Sequence, residues 1–328
     1  MSLITINLYD YLSGKNTFTQ DKALAAELRS AYETIGFAYI TGWQGVIAPE
    51  LVKRVFQYNE KFFGLQQATK DSLAYKSSKA NRGYLTFGRE QASLSVDPSK
   101  IAAEREVAND QKETFEIGND SDVCYPEHWP DENDIPGFRE AEQTMNTFHV
   151  ACHELHLRMM ALLALSLNLD KDFFLPNIKG RCHTLRLLHY PPALRTGNHS
   201  RLGAHTDFGT VTLLWQDLCG GLQVSGPDGS WVDVEPKSES EVFVVNAKQQ
   251  LARWSNNLLK STIHRAILPP LKPGQDPLRT PTRRSVAYFC NPDPEAMIEC
   301  IPGLGVPLYQ KINAGEYYAE ALRGEIGV

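Results

Sequence analysis

Apolar positions recur along this chain with two different spacings, and the change from one to the other divides it. In residues 21–35, Leu24, Leu28, Ala31, Tyr32 and Ile35 fall at helical intervals, with Asp21 placed to cap the start and Gly36 to end the run. Residues 49–63 repeat the pattern through Val52, Val55, Phe56, Tyr58, Phe62 and Phe63, opened by Pro49, whose missing N–H is no loss at a first helical position. The longest helical pattern covers 137–169, where Leu155, Met159, Leu162, Leu163 and Leu167 mark a face packed on something large. Short strands are predicted at 4–8, at 37–40 and in the 113–118 stretch. The polar segment 76–110 reads as a surface loop or as a lid over a site, and 119–135, rich in Asp, Pro and Glu, as a connector.

From about residue 181 the period shortens. Runs at 184–190, 211–215, 222–224, 231–234, 242–246, 262–268 and 285–289 are β-rich and separated by Gly, Pro, Asn and Asp. About eight short strands at even spacing predict a sandwich or barrel, with a jelly roll the common solution. The expected fold is mostly β with α, a jelly-roll core buttressed by N-terminal and central helices. Three segments are expected within one structural unit: an N-terminal helix and strand region (1–125), a connector with a long support helix (126–180) and the β core with a C-terminal helix (181–328).

Composition narrows the function. The chain has 328 residues, with 33 Lys and Arg against 39 Asp and Glu, a formal charge of −6. That balance disfavours a nucleic-acid partner. No apolar run is long enough to span a bilayer, and the N-terminus lacks the basic start and apolar core of an export signal. A cytoplasmic protein with reduced thiols is expected, and the six cysteines include no Cys-x-x-Cys pair.

Candidate chemistry centres on His205-Thr-Asp207. Residues two apart on an extended strand share a side, so an imidazole and a carboxylate face one way. His264 follows Asp207 by 57 positions on a later strand pattern, far enough to return to the same cavity. Two histidines and one carboxylate leave three coordination positions open, the arrangement of non-haem Fe(II) oxygenases, although a zinc hydrolase can use three such ligands. Arg283 and Ser285 share one face of the next strand, 19 residues after His264. A guanidinium with an adjacent hydroxyl suits a carboxylate. Arg186, Leu188 and Tyr190 share a face of the first core strand, which lets the Tyr190 hydroxyl reach the same carboxylate. His149, His153 and His156 form a rival set on the long helix, but His153-Glu-Leu-His156 departs from the zincin spacing and a structural or solvent-facing role is expected for them.

With these residues in place, the chain resembles an Fe(II)/2-oxoglutarate-dependent oxygenase of the isopenicillin N synthase-like group. The shared features are His205-Thr-Asp207, His264, Arg283-x-Ser285, the Tyr190-Pro-Pro run and Gly220-Gly-Leu-Gln-Val224. Asn81-Arg-Gly-Tyr84, Gly88-Arg-Glu90, Leu251-Ala-Arg-Trp-Ser-Asn256 and Ala287-Tyr-Phe-Cys-Asn-Pro292 make it more similar to the fungal members typified by thymine 7-hydroxylase, stretches that fungal natural-product oxygenases share. The resemblance implies a double-stranded β-helix and Fe(II) held by His205, Asp207 and His264. It also implies 2-oxoglutarate as cosubstrate, its distal carboxylate on Arg283 and Ser285 near Tyr190, with O2 consumed and succinate and CO2 released. Phe208 and Phe289 are implied to hold a flat substrate, with Arg186 supplying polar contacts.

Two departures stand out. Leu188 replaces a usual asparagine, removing one polar contact to the cosubstrate. Lys248-Gln249 replaces a usual Gly-Asp turn, which puts a non-glycine residue where positive φ is expected. The expected substrate is a small, planar, polar molecule, either an aromatic polyketide-type compound of secondary metabolism or a pyrimidine base. Two rival readings are an oxidase of the same fold without 2-oxoglutarate and a non-catalytic jelly-roll binding protein.

Overall fold

The computed structural model describes residues 2–75, 82–89, 110–120, 129–132, 135–196 and 200–326. The N-terminal region contains β1 (Thr5–Asn7), α1 (Tyr9–Leu12), α2 (Phe18–Thr34), β2 (Phe37–Thr41), α3 (Pro49–Phe63), α4 (Gln67–Ser72), β3 (Gly83–Leu85) and β4 (Glu113–Ile117). The long helix α5 (Phe138–Ser166) follows. The β-rich half comprises β5 (Thr184–Tyr190), β6 (Ser200–His205), β7 (Val211–Gln216), β8 (Leu222–Ser225), β9 (Trp231–Asp233), β10 (Phe243–Ala247), a short α6 (Gln249–Trp254), β11 (His264–Ile267) and β12 (Arg283–Phe289). The strand pair β13 (Met297–Ile298) and β14 (Ile312–Asn313) and helix α7 (Ala314–Ile326) complete it.

Strands β5 to β12 are shared between two sheets, switching sheet at each step except from β8 to β9, which pair within one. The order β10-β7-β12-β5 forms the centre of the large sheet and β6-β11-β8-β9 forms the small one, so the chain winds as a double-stranded β-helix. The N-terminal region widens the large sheet to eight strands, adding β2 and β1 beyond β10, and β4 and β3 beyond β5. Strand alternation then gives the large sheet two unlike faces. Leu185 and Leu187 of β5, Leu213 and Trp215 of β7 and Val286 and Tyr288 of β12 join one apolar cluster with Leu28 of α2, Phe62 of α3 and Phe148 and Leu162 of α5. Phe62 stacks on Phe115 of β4 with ring centroids 4.2 Å apart, one of several aromatic contacts there. Burying an aromatic side chain of this size contributes roughly 1.5–3 kcal/mol. The opposite face, with Arg186, Leu188, Tyr190, Thr212, Asn246, Arg283, Ser285 and Phe289, looks into the cavity between the sheets.

Several boundaries move relative to the sequence reading. Helix α2 starts three residues early because Thr17, not Asp21, caps it: the Thr17 hydroxyl accepts the Gln20 N–H while the Gln20 side chain accepts the Thr17 N–H. Helix α5 stops at Ser166, and Asn168 behind it sits at φ +58°. Helix α1 has four residues, too few to show a period. Lys248 has φ −113° and ψ 172°, extended backbone that caps α6, so the expected positive φ does not arise. The segment 76–110 expected as loop or lid, and the 119–135 connector, lie largely outside the described residues.

Candidate active site

The two candidate histidines are neighbours across strands. His205 ends β6 and His264 opens β11, and the antiparallel register sets them directly opposite each other. Their ring centroids are 4.2 Å apart. Each Nδ1 donates to a backbone carbonyl two residues back, His205 to Gly203 at 2.9 Å and His264 to Thr262 at 3.2 Å. Those bonds put the proton on Nδ1 and leave both Nε2 lone pairs facing the cavity.

Asp207 is not on the strand, as two-residue alternation assumed. It lies in the loop after β6. Its Oδ2 accepts from Thr212 Oγ1 (2.7 Å) and Asn246 Nδ2 (2.9 Å), side chains that cross from the large sheet. Its Oδ1 is left 3.7 Å from each Nε2. That is too long for a hydrogen bond. Two ligands of one ion with bonds of roughly 2.0–2.2 Å lie no more than about 4.4 Å apart, so the donor set fits a single bound metal. The loop is clamped as well: Gln249 N–H donates to the Asp207 carbonyl, and Gln250 and Leu251 N–H groups to the Gly209 carbonyl. Gly209 itself needs to be glycine. It sits at φ +85°, and a Cβ there would come within 2.5 Å of the Cys290 carbonyl and the Asn291 side chain.

Burial, reinforced by the neighbouring His264 and opposed by Asp207, pushes His205 down to about 3, so the imidazole is neutral and able to ligate. Burial alone raises the Asp207 carboxyl. The adjoining His264, Lys248 and His205 and the Asn246 hydrogen bond outweigh it and hold the group below the usual carboxylate range.

One end of the same cavity carries Arg283, buried to 2% exposure. Register places Arg283 opposite Tyr190 of β5, and Ser285 opposite Gln216 of β7. The guanidinium donates to Gln216 Oε1 at 3.0 Å and lies 3.4 Å from Ser285 Oγ. Its Cζ is 4.7 Å from the Tyr190 ring centroid. Gln216 went unrecognised in the sequence, although the polar residues Thr212 and Gln216 at alternate places in an apolar strand were its signal. The other end holds Arg186, Phe208 and Phe289, joined by Lys248 and by Tyr318 from α7. Arg186 does not wait for a substrate partner: Glu116, opposite it on β4, forms an ion pair with it. Arg186 Cζ is 5.0 Å and Lys248 Nζ 4.8 Å from the Phe289 ring centroid.

The helical histidines do converge, and on an imidazole that the sequence reading overlooked. His153 and His156 meet His183, which precedes β5, with ligand atoms within 4.8 Å of one another. Asn291 N–H donates to His183 Nδ1 at 3.0 Å, which requires a proton on Nε2. That Nε2 is 3.0 Å from His153 Nδ1 and donates to it. Thr210 gives its hydroxyl proton to the Cys290 carbonyl (3.2 Å) and accepts from His156 Nε2 at 3.0 Å. Burial, with the neighbouring imidazoles and Lys248, keeps His183 far below the ordinary histidine range and His156 down at about 3. The trio has no carboxylate, and the Arg181 charge that, after burial, lowers His153 also repels a dication. We therefore assign it a structural role.

A jelly roll that gathers two imidazoles and a carboxylate at the spacing of one ion, with a buried guanidinium beyond them, defines a non-haem iron, 2-oxoglutarate-using dioxygenase. The chain belongs to the 2OG-Fe(II) oxygenase superfamily: the model of that family matches residues 181–292, and one described as non-haem dioxygenase in morphine synthesis N-terminal matches residues 5–132. A 2-oxoglutarate-dependent dioxygenase of Aspergillus rugulosus, htyE, is 33% identical over 96% of this chain and 95% of its own. A proline hydroxylase of Petromyces alliaceus, buaE, is 32% identical over 87% and 86%. The crystal structure of thymine 7-hydroxylase from Neurospora crassa with 2-oxoglutarate and thymine superposes with a TM-score of 0.85, at 36% identity over 98% of this chain and 96% of that one. The protein is an oxidoreductase whose metal is Fe(II) and whose cosubstrate is 2-oxoglutarate. Among the described residues, no helix is long and apolar enough to cross a membrane.

Proposed function

We propose that this dioxygenase oxidises a C–H bond of a small, planar, polar molecule, an aromatic or polyketide-type intermediate of secondary metabolism, in the cytoplasm. His205, Asp207 and His264 hold the iron. Arg283 and Ser285, with Tyr190 beside them, take the distal carboxylate of 2-oxoglutarate. When bound, Fe(II) with 2-oxoglutarate and O2 supplies the oxidising power, with succinate and CO2 formed alongside the product. The residues of the chain orient and enclose. Gln216 aims the Arg283 fork, while Thr212 and Asn246 turn Asp207 Oδ1 toward the two Nε2 atoms. Leu188, Leu202, Leu214 and Leu222 line the walls and keep water away from the reacting bond. Phe208 and Phe289 receive the substrate, and Arg186, already paired with Glu116, backs the Phe289 ring.

The observation that carries this reading is the shared cavity: the triad and the buried Arg283 open onto one space between the sheets. A second reading, a pyrimidine 7-hydroxylase, draws on the likeness to the thymine complex. The test is iron-dependent succinate formation with thymine and with a set of methylated phenolic compounds. Turnover of a phenolic and none of thymine supports the first reading, and the reverse supports the second. Arg283→Ala is expected to raise the 2-oxoglutarate KM by about 10- to 100-fold, the loss of a charge-assisted pair. An unchanged KM refutes the role given to Arg283.

A further inference from the structure

Arg201 stands four residues before the first triad histidine, yet the 2-oxoglutarate reading gives it no task. It lies in β6 and is buried to 1% exposure. A guanidinium so placed needs partners for its N–H groups. Its Nη1 donates to Thr280 Oγ1 at 2.9 Å and its Nη2 to the Pro191 carbonyl at 2.6 Å. Both partners border the groups given to the cosubstrate: Pro191 follows Tyr190 directly, and Thr280 lies three residues before Arg283. The Ala193 N–H also donates to Thr280 Oγ1, at 3.0 Å, so one hydroxyl ties β6, the end of β5 and the entry to β12 together. The Arg201 Cζ is 5.5 Å from the Tyr190 ring centroid, and the Arg283 Cζ is 4.7 Å from the same centroid. Tyr190 and Arg283 line the cavity, and Arg201 stays behind that wall. Burial works against the Arg201 charge; Tyr190 opposes that effect, and the like charge of Arg283 adds to it. Asp217, which also acts on this guanidinium, has its two oxygens taken by the backbone N–H groups of Arg284 and Cys219, at 2.5 and 3.0 Å.

Resting on the dioxygenase reading, we propose that Arg201 is a positioning residue of the cosubstrate site: it fixes Tyr190 and Arg283 for the distal carboxylate of 2-oxoglutarate, and its charge makes that end prefer a dianion to an oxoacid with an uncharged tail. The planar fork suits the first task, because two of its N–H groups reach two chain segments at once. The second task follows from burial, since a charge is felt further in a protein interior than in water. A carboxylate arriving at Arg283 is attracted by both guanidinium groups and relieves the repulsion between them. An uncharged tail gains neither.

The test compares 2-oxoglutarate with 2-oxopentanoate, which keeps the metal-chelating end and lacks the distal carboxylate. Each is titrated calorimetrically, without O2, into protein loaded with Mn(II). Arg201→Met is expected to weaken 2-oxoglutarate about ten-fold and to leave 2-oxopentanoate within about two-fold, the scale of a lost charge-assisted contact. Arg201→Lys, which keeps the charge, is expected to recover most of the loss. A fold defect without a role at this site would weaken both oxoacids alike. An unchanged 2-oxoglutarate affinity in Arg201→Met, an equal loss for the two oxoacids, or a loss in Arg201→Lys as large as in Arg201→Met overturns the role of Arg201. Should Arg201→Met not fold, Thr280→Val decides: a loss confined to 2-oxoglutarate supports the role, and an unchanged affinity or a loss shared by both oxoacids overturns it. Failure of the unmodified protein to bind 2-oxoglutarate overturns the dioxygenase reading on which it rests.

Discussion

Two groups of imidazoles lie on either side of the large sheet, one carried across the cavity by β6 and β11 and the other behind it, and only one is built to hold a metal. In the cavity, backbone carbonyls take both Nδ1 protons, both Nε2 lone pairs converge, and Asp207 adds a negative charge whose second oxygen is held by Thr212 and Asn246. Behind the sheet, His183 uses its Nδ1 lone pair on the Asn291 N–H and its Nε2 proton on His153, while His156 is bonded to Thr210. Both groups place three donors within 4.8 Å. Proximity is common to them. Tautomer and charge separate them, and hydrogen bonds to the rings from outside the trio set the tautomer.

The largest effect should come from exchanging an imidazole in each group for alanine. His205→Ala is expected to bring iron-dependent succinate formation to background while changing urea-unfolding stability by less than about 1 kcal/mol. His156→Ala should do the reverse, costing about 2–4 kcal/mol of stability, as large-to-small changes in a core do, with Fe(II) still bound by the folded protein. Activity retained in the first variant, or Fe(II) binding lost in the second, would break the contrast.

A smaller effect tests the support of Asp207. Co(II) titration of metal-free protein should show one site per chain, unaltered by His153→Ala. Asn246→Ala should weaken that site about 10-fold, the scale seen when a ligand loses an outer hydrogen bond. A second equivalent that disappears in His153→Ala would make the rear trio a metal site after all.

The remaining effect is on pH. Burial pushes His156 down to about 3, and it does the same to His149, partly opposed there by the His183 carbonyl. Their unfolded values are near 6.5, so protons bind preferentially to the unfolded chain. The contribution of these rings is complete above about pH 6.5 and is lost as pH falls toward about 3. At pH 5 each should have given up about 2 kcal/mol. The Tm of metal-free protein should drop between pH 7.5 and 5, and His156→Gln should drop less. A flat Tm would mean that the rings are not held neutral.

Most of the architecture was legible because it depends on periodicity. The 3.6 spacing of α3 and α5 and the alternation along β5 and β12 are visible in single residues, and the Arg283 and Ser285 side recovered the cavity face without a structure. Boundaries set by side-chain caps were less legible, since Asp21 and Thr17 are both acceptable caps and the choice depends on Gln20 reaching back. Glu116 and Gln216 were missed for a shared reason: their partners lie on other strands, and register is not written in any one segment.

By itself, then, the sequence determined the element types, the inward faces and the short list of groups able to bind a metal or a carboxylate, because these follow from side-chain chemistry and from the repeat of the local backbone. Only the tertiary structure decided that His205 and His264 stand opposite each other, that Arg186 is answered by Glu116, and that His183 completes a trio unsuited to a metal. Those outcomes depend on strand register and on hydrogen bonds between residues far apart in the chain, which come into being only when the two sheets close on one another.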